Sequence, residues 1–429
     1  MALPPESEVA SPAPSADGQA SGRFAFRELG GQAVVFLSTL AINFAVFAIL
    51  FLASLRLPAP EFAKLSLAAG LVSVVASVLD LGSSQTCLKL SFEWDDVRFL
   101  GFNLAVKAVF VALALPAAGV AYWLGLDTDR IAIGAAGAGM AFWGATRILE
   151  QRRREFRRLA WLNFSVALSR LIFGAAALLT QSLFLILAAL YVVAQIPAHL
   201  VSVRRLKDVL ATARWSDAPM ILKISPVMFA SGLLYSSLPV LTQSLVYARN
   251  DAAAASAMGI VVMFLAPLGL AATTLRLYIL PEVLDKPLRD VRVFGVGKQH
   301  LVWVVGAFMA VLVLGTGFAS VCIHFIYDEK FPQATLFFLI YFGATAIVLP
   351  IGLLNVRAQR GSLVRIEALV NAARFVATAA LALFSGLSPA AVVAISAAIL
   401  VIGELGLAAL LTLAEARETA RAASVRRRN

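Results

Sequence analysis

Residues 147–180 read RILEQRRREFRRLAWLNFSVALSRLIFGAAALLT, and the order of their parts decides the fold. Six arginines (Arg147, Arg152, Arg153, Arg154, Arg157 and Arg158) crowd one short segment, and an apolar run follows. That run is long enough, at about 1.5 Å per residue, to cross the hydrocarbon core of a bilayer. Cytoplasmic loops retain Lys and Arg while short translocated loops exclude them, so the cluster marks the cytoplasmic end of a membrane helix. Arg170 lies inside the run, where a cation is costly and calls for a functional reason.

Outward from this stretch the pattern repeats. Apolar spans fall near 29–54, 61–83, 99–124, 130–149, 158–180, 182–202, 218–247, 253–281, 299–326, 333–356, 363–386 and 388–413. Placing the N-terminus inside puts 26 of the 36 Lys and Arg residues in cytoplasmic segments and 5 in outer loops. A missed or invented helix would break this alternation, so it supports both the span count and the cytoplasmic placement of both termini. The whole chain agrees: 429 residues, 60% apolar and 14% charged, against roughly 45–50% and 25% in soluble proteins. Twelve spans leave no room for a separate catalytic domain. The net charge of +11 records membrane orientation rather than nucleic-acid binding, since no basic run is interleaved with exposed aromatics.

Two outer links, Thr180–Ser182 and Ser385–Ser388, are very short and lie six spans apart, as do the longer links Arg56–Pro60 and Arg249–Ala252. The fold expected is therefore an all-α polytopic bundle of about twelve helices in two parallel six-helix lobes. Its parts are a disordered cytoplasmic tail (1–28), an N-lobe (29–203), a basic linker (204–217), a C-lobe (218–413) and a basic tail (414–429). The first 22 residues are rich in Pro, Ser, Ala and Gly with no apolar core, so the first span acts as the insertion signal.

Arg170 in the fifth span and Arg374 in the eleventh occupy equivalent helices, each roughly 16–18 Å deep at the helical rise. Small or polar residues share their faces: Asn163, Ala167, Gly174 and Ala177 with Arg170, and Glu367, Asn371 and Thr378 with Arg374. Such faces suit a water-filled lumen. Arg374 has a second reading, an ion pair with Glu404 of the twelfth span. Lys107, one turn from Asn103, and Lys223 are shallower candidates that could equally snorkel. Asp80, Glu367 and Glu404 are the intramembrane acids available for ion coupling or pairing.

Gln32, Phe36, Thr39 and Asn43 form one partly polar stripe, and Ser231, Tyr235, Leu238 and Thr242 repeat its spacing in the seventh span. Interhelical hydrogen bonding explains such stripes as well as a pore lining does. Pro226, Gly232 and Pro239 make the seventh span the expected hinge. Cys87, Cys322 and three scattered histidines form no metal-spaced cluster, so neither a metal nor another cofactor is expected.

Three passages carry a resemblance: RLPAPEFAKLSLAAGLVSVVASVLDLGSSQTCLKL at 56–90, LRLYILPEVL at 275–284, and FIYDEKFPQATLFFLIYFG at 325–343, where Asp328 stands in place of the usual glycine. With the twelve-span layout, the chain resembles the multidrug/oligosaccharidyl-lipid/polysaccharide (MOP) exporter superfamily, and within it the Wzx-type flippases of O-antigen and polysaccharide biosynthesis. The resemblance implies a non-enzymatic flippase of a bacterial inner membrane. It would move an undecaprenyl-diphosphate-linked oligosaccharide by alternating access around a cationic cavity, as a monomer that can serve a polysaccharide polymerase. Arginine's planar donors suit phosphate oxygens, which assigns Arg170 and Arg374 to the diphosphate with Lys107 and Lys223 as secondary contacts. One alternative is a cation-coupled multidrug exporter, which needs lumenal carboxylates where the first half carries Lys107 and Arg170. Another is a glycan polymerase or ligase, which needs larger outer loops than these to hold a reaction centre.

Overall fold

The computed structural model describes residues 18–126, 128–153, 155–265, 298–355, 358 and 363–426, all helical or in links between helices. The N-lobe comprises α1 (Gly18–Arg56), α2 (Ala59–Asp80), α3 (Ser83–Glu93), α4 (Arg98–Trp123), α5 (Asp129–Arg152), α6 (Phe156–Leu178), α7 (Leu183–Tyr191) and α8 (Ile196–Leu210). The C-lobe comprises α9 (Ala218–Tyr247), α10 (described over Ala252–Leu265), α11 (Lys298–Tyr327), α12 (Ala334–Leu354), α13 (Val364–Ala380) and α14 (Pro389–Arg426). Among the described residues, eight stretches are long and apolar enough to cross a membrane. The helices α5, α9, α10 and α11 stand where the other four expected spans lie.

One expected span is divided and another is followed by an extra short helix, each for a local reason. After α2 the chain passes through left-handed Leu81 (φ 47°) and Gly82 (φ 67°), which end one helix and start α3 at a new angle. A Cβ on Gly82 would lie 2.9 Å from the Ser225 carbonyl of α9, so the turn also needs glycine for this close approach. The sixth span divides into α7 and α8 around a 3-10 turn at Val193–Gln195. Pro197 has no amide hydrogen to carry the α7 ladder forward, and Val192 leaves the helical region at φ −121°, ψ −66°. Two ends also differ from expectation. Helix α1 already runs from Gly18, and α14 continues to Arg426, so parts of both expected tails are helical. The expected hinge is a continuous helix here, with Pro226 and Pro239 inside α9.

The packing repeats between lobes. Helix α1 packs on α6 as α9 packs on α13, α4 on α5 as α11 on α12, and α5 and α6 meet α7 as α12 and α13 meet α14. Both short hairpins are capped alike: Ser182 Oγ accepts from the Leu185 amide (3.4 Å) and Ser388 Oγ from the Ala391 amide (3.2 Å).

The lobes close on one another at the end that carries these hairpins, the hairpin end; the opposite end, rich in Arg and Lys, is the basic end. One apolar cluster there joins Ile49, Leu57 and Phe62 to Tyr327, Phe331 and Phe337. Lys330 Nζ donates to the carbonyls of Ser54 (2.6 Å), Leu55 (3.3 Å) and Leu57 (2.7 Å), filling acceptors at the end of α1. The Ser54 and Tyr327 hydroxyls share a 2.6 Å bond, and Gln243 Nε2 donates to Ser66 Oγ at 2.7 Å. Toward the basic end the clusters separate, one around Cys87, Phe99 and Leu149 and another around Ala358, Leu363 and Leu411. Helices α3 and α9 remain tied there by Ser225 Oγ donating to Thr86 Oγ1 at 3.2 Å.

Candidate functional site

Helix α6 holds Arg170 against α1 and the end of α7. Leu190 carries one of the last four α7 carbonyls, which a helix cannot satisfy by itself. Arg170 Nε donates to it at 2.9 Å, and Nη1 donates to the Ile42 carbonyl at 3.4 Å. The Tyr191 ring centroid lies 5.4 Å from the guanidinium carbon, within cation–π range. Arg170 is 4% exposed, and among the described residues no carboxylate forms an ion pair with it. Its face is packed rather than wet in this conformation: Asn163 is fully buried, and Gly174 abuts Ile49 and Leu190.

One turn along α1 from Ile42, Thr39 gathers the next groups. Its Oγ1 accepts from Arg147 Nη2 of α5 at 3.3 Å and from Asn163 Nδ2 of α6 at 3.5 Å, while Asn163 Nδ2 also donates to Ser38 Oγ at 3.0 Å. Of the first-span stripe, Thr39 and Asn43 therefore face polar neighbours, Asn43 Nδ2 donating to the Thr39 carbonyl at 2.8 Å. No side-chain description covers Gln32, Phe36 or, in the seventh span, Ser231.

Lys107 is differently placed. It is fully buried between α4 and the α2–α3 turn, donating to Asp80 Oδ1, Ser84 Oγ and Asn103 Oδ1. The Asp80 side chain is 25% exposed. A lysine whose ammonium is committed to a carboxylate and two neutral oxygens gains little by reaching for a second anion.

In the C-lobe, Arg374 of α13 donates from Nη2 to Glu404 Oε2 (2.8 Å) and from Nη1 to Asn371 Oδ1 (2.8 Å). Asn355 Nδ2 donates to Glu404 Oε1 at 2.7 Å, so both carboxylate oxygens are engaged. Helix α14 approaches closely because residue 403 is glycine; a Cβ there would sit 2.0 Å from Arg374 Nε. The Tyr235 ring centroid lies 5.9 Å from the guanidinium. Of the two readings open for Arg374, the ion pair with Glu404 is the geometry present. Lys223 is exposed near the start of α9, and Glu367 lies half-buried in the first turn of α13. Arg276 and the 275–284 passage fall outside the described residues.

The buried acids are thus matched: Glu404 with Arg374, Glu150 with Arg158 and Arg205 (3.2 Å each), and Asp217 with Arg98 (3.4 Å). The buried Arg170 and the partly buried Arg147 have no such match among the described residues. Arg147 lies near the basic end of α5, and its spacing of four from Trp143 puts it on the same, inward face of that helix.

Comparisons with known proteins agree on the architecture. A solved structure described as the inward-facing conformation of a multidrug resistance MATE family transporter of the MOP superfamily aligns at TM-score 0.57 and 13% identity, over 88% of this chain and 97% of that one. A MATE structure in the straight conformation aligns at TM-score 0.56 and 11% identity, over 89% and 96%. No family model matches the sequence, and no curated protein matches it. The class defined is a multi-pass membrane protein with a MATE-like fold.

Proposed function

We propose that this protein is a flippase that moves an undecaprenyl-diphosphate-linked oligosaccharide across a bacterial inner membrane. The lobes would rock about the contacts at the hairpin end, with the basic end and both termini in the cytoplasm, as the distribution of Lys and Arg favours. One observation carries the choice of substrate. The deep charge left without a counter-charge is cationic, Arg170 on carbonyls and an aromatic face, and a diphosphate headgroup supplies the anion that such a guanidinium accepts. Arg374 and Lys107 would act around it only if their present contacts rearrange during the cycle, and exposed Lys223 only from the start of α9. The protein works as a monomer and delivers its glycan to a polymerase on the far side.

A cation-coupled multidrug exporter is the second reading, favoured by the description of one structural neighbour as a multidrug resistance transporter. Proteoliposomes separate the two. A fluorescent polyprenyl-diphosphate oligosaccharide should exchange leaflets with the wild-type protein and fail to do so with Arg170→Ala, while Arg170→Lys keeps partial exchange. Uptake of a cationic dye driven by a proton or sodium gradient, with no glycolipid exchange, would overturn the flippase reading.

A further inference from the structure

We propose that the interior of the N-lobe contains an anion site built by Arg147 and Arg170, and that its ligand is a phosphate-type anion. This deepens the flippase reading, and in its choice of ligand rests on it, but the charge balance from which it starts stands by itself. The two guanidinium groups bond α1 one turn apart, Arg147 at Thr39 and Arg170 at Ile42. A buried Arg170 and a partly buried Arg147 against the same helix, with no carboxylate paired to either among the described residues, are an arrangement that is costly to hold without an anion.

The hydrogen-bond inventory points the same way. Arg147 Nε and the indole Nε1 of Trp143 are buried and meet no acceptor, and Gln195 Nε2 at the α7–α8 break is likewise without one. Trp143 stands one turn from Arg147 on α5, against His199 of α8, whose ring lies 5.7 Å away. Buried donors are almost always satisfied, and the unmet Arg147 Nε and Trp143 Nε1, one turn apart on α5, ask for a ligand rich in acceptor oxygens. One buried acceptor, Asn163 Oδ1, is also unmet, which a hydroxyl or protonated oxygen of the ligand, or a water bound with it, would fill. The C-lobe differs in its charge balance: there the equivalent arginine is paired with Glu404 and bonded to Asn371, so although its Nε is also buried without an acceptor, its charge is already met.

The test uses the purified full-length protein and inorganic pyrophosphate, titrated at constant ionic strength against chloride, with tryptophan fluorescence and thermal unfolding as readouts. The wild type should respond saturably. Arg147→Gln and Arg170→Gln should each weaken the response at least tenfold, Arg147→Lys should retain part of it, and exposed Lys64→Gln should leave it unchanged. If the glutamine variants do not fold, Thr39→Val decides, because it removes only the shared hydroxyl and should weaken binding several-fold. A parallel titration with geranyl diphosphate assigns the source: tighter binding than pyrophosphate identifies a lipid headgroup, equal binding a free anion. No saturable response in the wild type, or one untouched by folded Arg147 variants, overturns the site. No transport step enters this assay. Glycolipid exchange without pyrophosphate binding would sink this inference alone, and binding without exchange would sink the flippase reading alone.

Discussion

Arg170 and Arg374 stand on matching helices of the two repeats, each beside a tyrosine ring, yet they are stabilised by different means. Arg374 is cancelled by Glu404, whose other oxygen is held by Asn355. Arg170 is solvated by carbonyl dipoles and a π-face, which stabilise a cation without cancelling its charge. One position has become a structural ion pair, and the other keeps a positive field inside the membrane. Divergence of this kind is expected when only one lobe must attract a charged substrate.

The largest expected effect tests this division. Glu404→Ala strands Arg374 in a dry site, and breaking a buried pair from one side costs about 3–5 kcal/mol. Arg170→Met removes a charge and leaves only neutral carbonyls short of a donor, a loss of about 1–3 kcal/mol. Thermal melts in detergent should therefore show the first variant far less stable than the second, while glycolipid exchange is lost in the second despite its better stability. Equal destabilisation would erase the distinction between the lobes. Replacing Arg374 and Glu404 together by Met should restore most of the stability, because no lone charge is left behind.

A smaller effect probes how tightly the C-lobe pair is clamped. In Gly403→Ala the new Cβ would lie 2.0 Å from Arg374 Nε, with no freedom for a guanidinium tied at both ends. Overpacking of this kind costs about 1–3 kcal/mol. In the N-lobe, Gly174→Ala would meet only the side-chain carbons of Ile49 and Leu190, at 2.9 and 3.0 Å, which can rotate away. Melting temperatures should fall further for the first change, and the reverse order would mean that Arg374 is the looser of the two.

Much of this was legible in the sequence. The run of arginines ahead of residue 159, its alternation with poor outer loops and the paired short hairpins lead to the twelve-span, two-lobe expectation, because hydropathy and charge are local properties. Arg170 and Arg374 stood out for the same reason. The pairing of Lys107 with Asp80 did not, since it depends on the left-handed turn at Leu81 and Gly82 that swings α3 beside α4. Arg147 was hidden by its position near a helix end, where a long side chain can reach either solvent or the interior; only the approach of Thr39 on α1 shows which. The Lys330 contacts with the end of α1 join residues more than 270 positions apart, and no local pattern announces such a meeting.

The smallest predicted effect concerns what the repeats still share. Ser182 and Ser388 each open the last span of a lobe and each accept an amide three residues on. Alanine at either position removes one capping oxygen, for a loss of about 0.5–2 kcal/mol. Both are loop ends at the hairpin end, remote from Arg170 and Arg374. Arg249, which bonds backbone carbonyls of the second hairpin, is not the partner of either capping oxygen. The two losses should therefore agree within error and add in the double variant. Agreement would show that the repeats remain equivalent wherever charge is not involved, and that the difference between Arg170 and Arg374 is local to their sites. Unequal or non-additive losses would place the asymmetry in the helical framework itself, and the positive field of the N-lobe would then follow from how the lobe is built rather than from a missing carboxylate.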